Sequence, residues 1–212
     1  MSRVTSLRLP RISPPKNPAI LPGLGGHLRR NTHLDYADHL RYDKDGKITK
    51  ESGLQMCDKI REDMRPFCAN INKKNIAFAV VEINGERHVL VAIHVSDAKA
   101  PGTLAKPDAQ EVFKPSMNPA YPRNADSENK ILEPVGQVLL DNPNAKGTIK
   151  LFSEQDPCSV SCKPIIEGQY VQRGFQERVP MTVSSVYRSR QEREDAVLHR
   201  VKAFQESKRN EK

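Results

Sequence analysis

A chain of 212 residues is long enough for one ordinary domain with a tail and for one hydrophobic core of useful size. An apolar share of 37%, the lack of Trp and a mean hydropathy of −0.65 exclude a helical membrane protein, since no apolar run approaches the roughly 20 residues that span a bilayer, and four cysteines are too few for a disulfide scaffold. The 34 Lys and Arg against 26 Asp and Glu leave a net charge of +8, which favours polyanions such as nucleic acid, or an acidic neutralising protein, and equally describes a solvated basic surface.

Residues 1–49 read as an extended arm or linker, rich at first in Pro, Arg, Gly and Leu without helical or strand period; no continuous apolar stretch there has the length of a cleaved Sec signal. The run Asp43-Lys44-Asp45-Gly46 resembles a calcium loop until the register is checked. With Gly46 sixth, the first and twelfth positions fall on Arg41 and Ser52, so a turn between two helical pieces is the expectation. From Lys50 to Ile71, apolar residues at Cys57, Ile60, Met64, Phe67 or Cys68, and Ile71 have the spacing of a helix with one buried face. Pro66 kinks or ends it, and Cys57 and Cys68 read as core residues.

Ile76–Ile83 and His88–Val95 flank Asn84-Gly85, the strongest hairpin signal in the chain, and predict two antiparallel strands. A long loop, Ser96–Asn124, follows and is placed to border a pocket. Asp126–Leu140 reads as a helix that Asp126 can cap and Pro134 kinks; Thr148–Ser153 has strand character, Cys158–Tyr170 helical, Met181–Tyr187 strand, and Ser189–Lys212 is a charged helix with Ala196, Val197, Val201 and Phe204 along one side. This alternation predicts an α/β sandwich, residues 50–212 forming the domain, with helices covering a mixed sheet.

The chemistry concentrates in two places. Asp126-Ser127-Glu128 opens one helix, and Pro157-Cys158-Ser159-Val160-Ser161-Cys162 opens another, with a helix and a strand between. One carboxylate oxygen and two thiolates supply the three protein ligands of a catalytic zinc that keeps an open position, and positive helix ends favour thiolate over thiol. Glu128 is then left over to carry protons. Singly, Asp126 is an ordinary N-cap, Glu128 an ordinary first-turn acid and the two cysteines packed thiols or a redox pair; their joint order gives the pattern its meaning. His88 and His94, on the second hairpin strand, read as sheet or surface residues, with one of them the alternative to Asp126 at the metal if the loop folds back. Arg188, Arg190, Arg193, Arg200 and Lys202 are candidate phosphate holders or one solvated helix face.

The pattern resembles the zinc deaminase signature, H-x-E followed by P-C-x-x-C, with Asp126 in place of His and one extra residue between the cysteines. Asp is a competent zinc ligand, and positions i and i+4 share a helix face much as i and i+3 do. With Asn75 to Ala79, Ile83 to Glu86, Asp126 to Leu132 and Gly147 to Glu154, the likeness extends to the toxin-type deaminases of bacterial polymorphic toxin systems over roughly residues 50–190. That resemblance implies a cytidine deaminase-like three-layer α/β/α sandwich with a five-stranded mixed sheet. It also implies Zn2+ held by Asp126, Cys158 and Cys162, Glu128 as proton carrier, and cytosine-to-uracil conversion in DNA or RNA. Asn75, Ser96 and Phe152 are where groups binding the base fall, and a cognate immunity protein and delivery into a target cell by a specialised secretion system are expected. An inactive binding module on the same scaffold, and a deaminase of free nucleosides or nucleotides, are the other readings of these residues.

Overall fold

The computed structural model describes residues 37–94, 103–107, 112–118 and 121–210. Residues 1–36, Ser96 and much of the Ser96–Asn124 loop therefore lie outside the described residues.

The fold is mixed α/β. Helix α1 (Lys50–Met64) leads to a 3-10 turn at Ile71–Lys73, then β1 (Ile76–Ile83) and β2 (Glu86–Ile93). A minute hairpin of β3 (Met117–Asn118) and β4 (Tyr121–Pro122) precedes α2 (Ser127–Asp141) and β5 (Gly147–Gln155). A π-helical turn at Pro164–Gln169 runs into α3 (Tyr170–Gln172), followed by α4 (Phe175–Arg178), β6 (Met181–Tyr187) and α5 (Arg190–Asn210). The main sheet has the order β2-β1-β5-β6, with β1 antiparallel to both neighbours and β6 parallel to β5. Among the described residues it holds four strands where five were expected.

The hairpin forms where Asn84-Gly85 places it: both residues take positive φ, 53° and 84°, as a tight turn between right-twisted strands requires. Helix α1 stops at Met64, just ahead of Pro66, so the 3-10 turn beyond is a separate piece. Pro134, expected to kink α2, lies inside a helix assigned without a break to Asp141. Asp43 Oδ1 accepts the backbone N–H groups of Asp45 and Lys47, and the turn closes a bridge between Tyr42 and Ile48 instead of joining two helices.

Helices cover both faces of the sheet. Along β1, Ala77, Ala79, Val81 and Ile83 pack with Ile131, Leu132 and Val135 of α2, whereas Ile76, Phe78 and Val80 pack with Met56, Cys57 and Ile60 of α1. Cys57 and Cys68 lie in this second core, and so do Ala37, Leu40 and Ile48, which places residues 37–49 against the domain. The described part of the long loop is also packed: Leu104, Val112 and Phe113 enter the first core, and Glu133 of α2 accepts the N–H groups of Val112 and Phe113.

Gly53 tests the second core. A methyl group added there would meet the Phe152 ring at 2.1 Å, and that ring is fully buried and stacked on Phe78 at 5.2 Å. Helix propensity favours Ala by about 1 kcal/mol, but overpacking costs about 1–3 kcal/mol, so the clash decides the sign. Gly53→Ala is expected to lower the urea midpoint with an unchanged m-value.

Candidate active site

Asp126 is the N-cap residue of α2, yet its side chain makes no capping hydrogen bond. Its Oδ2 turns instead to the two thiols, 3.7 Å from Cys158 Sγ and 3.5 Å from Cys162 Sγ, while the sulfurs stand 3.5 Å apart. Asp126 and Cys162 are buried and Cys158 is half-buried. Zinc bonds of about 2.3 Å to sulfur and 2.1 Å to oxygen at tetrahedral angles put ligand atoms roughly 3.5–3.8 Å apart, so donor chemistry and spacing both fit that ion. Among the described residues, this is the group of His, Cys, Asp and Glu side chains placed so that it could hold a metal ion.

The wide cysteine spacing has a local cause. Cys158 sits one turn ahead of the helical segment, in a loop closed by the Lys163 N–H on the Cys158 carbonyl at 3.0 Å, and the helix that follows is π-wound over Pro164–Gln169. A wide turn absorbs the extra residue and keeps both sulfurs on one side. The Cys162 N–H donates to Cys158 Sγ at 3.3 Å. The Cys162 thiol and backbone N–H groups pull the Cys158 pKa down to about 6, whereas the bond to Cys158, burial and the carboxylates push Cys162 up. One thiolate is thus ready at neutral pH, and the other proton is the one a cation would displace.

Glu128, in the first turn of α2 and 4% exposed, stands beside this group with Oε2 3.8 Å from Cys162 Sγ. Ser153 donates to its Oε1 at 2.6 Å and Ser127 to its Oε2 at 3.2 Å. Burial raises its pKa against the lowering effect of the Ser153 bond. Asn75 completes the cradle, its Nδ2 lying 2.9 Å from Ser127 Oγ, 3.0 Å from Ser153 Oγ and 3.4 Å from Glu128 Oε1, and its Oδ1 accepting the Gln155 N–H.

These groups line a cavity of about 460 Å³, with Asn75, Asp126, Glu128, Cys158 and Cys162 on its wall. Phe152, expected beside them, does not reach it: β5 turns Phe152 toward α1 and the adjacent Ser153 toward Glu128. Ser96 lies outside the described residues. His94, read as a sheet residue, lines the cavity with Nδ1 3.4 Å from Asp126 Oδ1, while Oδ2 faces the sulfurs and the Arg123 guanidinium at 3.8 Å. Of the candidate phosphate holders, Arg190 faces the cavity, Arg193 is buried under its rim, and Arg200 pairs with Asp58. No described helix is long and apolar enough to cross a membrane.

Sequence missed Ser127 and Ser153 as site residues, and weighed His94 only as a substitute for Asp126. Ser153 follows Phe152 directly, and only the strand's facing separates them.

A family model described as Toxin-deaminase, the BURPS668_1122 family of deaminases, matches residues 68–178. No curated protein and no solved structure matches the chain.

Proposed function

The chain belongs to the BURPS668_1122 family of toxin deaminases, and from that premise we propose that it is a zinc-dependent deaminase converting cytosine to uracil in DNA or RNA. Asp126, Cys158 and Cys162 are the metal's protein ligands in this reading, and Glu128 carries the proton. The observation that supports it most is the separate, buried Glu128 carboxyl beside a three-atom donor set that does not need it as a ligand. A purely structural metal site has no use for such a group.

Zinc held there supplies a Lewis acid that makes water a nucleophile at neutral pH. Glu128 does the rest of the proton work. Its raised pKa lets the carboxyl carry one proton from the attacking water to the ring nitrogen, and then the proton of the added hydroxyl to the departing amine. Water adds, ammonia leaves, and the amine-bearing ring carbon becomes a carbonyl. Ser153, Ser127 and Asn75 hold Glu128 in one orientation, and His94 engages the Asp126 oxygen that faces away from the sulfurs. A cavity of about 460 Å³ has room for one base, and a base in a strand enters it only when single-stranded or flipped out of its stack. In the same reading the fold is the cytidine deaminase-like sandwich, and the protein acts inside a target cell after specialised secretion, with an immunity protein as partner.

Ammonia release from a panel of single-stranded DNA, duplex DNA, RNA and free cytidine tests this. Release from at least one cytosine-bearing polymer is expected. Release from free cytidine alone would move the activity to nucleosides, and zinc-loaded protein that releases ammonia from none would make the scaffold a binding module.

A further inference from the structure

The cavity has an acidic floor and a basic edge. Lys73 and Lys74, at the end of the 3-10 turn, line it immediately before Asn75, whose amide touches the Glu128 cradle. We propose that Lys73 and Lys74 form a phosphate-binding subsite, and that the substrate is a polynucleotide strand whose backbone crosses this edge while one base enters the cavity. This rests on the deaminase reading for the identity of the base, but its own argument is geometric.

Three observations carry it. First, among the described residues neither lysine is within ion-pair distance of an acid. Lys73 acts on Glu194 only as a nearby charge, and Arg190 already occupies that carboxylate at 2.6 Å. The other cations at the cavity are engaged: Arg190 with Glu194, and Arg123 with Asp126 at 3.8 Å.

Second, the backbone bearing the two lysines is pinned from below. Arg193 of α5, 1% exposed, donates NH1 to the Lys74 carbonyl at 2.7 Å and NH2 to the Lys73 carbonyl at 2.8 Å. The turn is closed by the Lys73 N–H on Asn70 O and the Lys74 N–H on Ile71 O. A buried guanidinium is costly unless its donors are used, and here two serve to fix one short turn at the cavity mouth. A fixed turn removes the backbone share of the ordering cost when its two ammonium groups bind an anion.

Third, the site's charges are segregated. Asp126, Glu128 and Cys162 are buried, where a bound metal would offset their charge, whereas Lys73 is exposed and Lys74 half-buried at the edge. A neutral nucleoside gains nothing from them, whereas a strand presents phosphates on either side of the base being read.

The test is binding, which needs no turnover. Zinc-loaded full-length Glu128→Gln protein is titrated into fluorescent single-stranded DNA, and separately RNA, over a series of salt concentrations, with and without the double change Lys73→Gln/Lys74→Gln. Each phosphate contact on a single strand contributes about 0.7 to the slope of log K against log salt, so the double change is expected to flatten the slope by about 1.4 for at least one strand. Lys73→Arg/Lys74→Arg is expected to restore it, and zinc content and thermal midpoint should not move. An unchanged slope, or no strand bound by the parent protein, would overturn the proposal. Displacement of the strand by cytidine monophosphate at equal molar concentration would assign the subsite to free nucleotides and overturn the strand half. Failure of the deaminase reading would register separately, as wild-type protein that binds strands through these lysines and converts no base.

Discussion

Glu128→Gln is expected to slow base conversion by about a hundred- to ten-thousand-fold, the range over which a positioned general acid–base acts, with zinc content unchanged. The carboxyl is the buried acid beside the proposed metal ligands, its raised pKa suits it to accept a proton, and Ser153 and Ser127 fix its two oxygens. Gln keeps the shape and loses the proton traffic. The measurement is a single-turnover rate on a cytosine-bearing oligonucleotide, beside metal analysis and a thermal midpoint of the same samples. A variant that keeps its rate would shift the proton role to another group in the cavity, where Asp156 and His94 also line the wall.

Loss of the metal is expected to be as damaging, for stability as well as rate. Cys162→Ser replaces the more deeply buried sulfur of the donor set and should bring zinc from about one per chain to near none, whereas Cys68→Ser, buried in the opposite core, should keep it. A ligand held at a thousand times its dissociation constant stabilises the folded state by about 4 kcal/mol. For a domain of this size that corresponds to a fall of roughly 8–16 °C in the thermal midpoint when a chelator strips the wild-type protein. The same midpoint with and without chelator would mean that the three side chains hold no structural or catalytic ion.

Much of this was legible in the sequence because local chemistry decides it. Asn84-Gly85 takes the two positive φ values a tight hairpin needs, so strands appear on both sides of it. Pro66 ends α1 by removing a donor and filling the space of the preceding turn. Asp126, Glu128, Cys158 and Cys162 were found from their order along the chain, and the structure brings them to one cavity.

What was not legible depends on partners far away in sequence. From Leu151 to Glu154 every residue of β5 is buried, so the alternation that reports which side chains share a face is absent. Phe152 and Ser153 could be assigned to either face, and the residue that reaches Glu128 is Ser153. Glu154, with no exposure, ends this run; it survives there because Arg61, 93 positions earlier, and Arg200 reach it. Arg193 looked like one charge on a solvated helix and is buried, because its acceptors belong to a turn 119 and 120 positions away.

The most direct measurement is sequencing of cytosine-bearing single-stranded DNA and RNA after incubation with zinc-loaded protein, beside the same strands treated with Glu128→Gln. Cytosine-to-uracil changes that the variant does not make are the expected result. Zinc-loaded wild-type protein that leaves every cytosine intact would contradict the proposed activity.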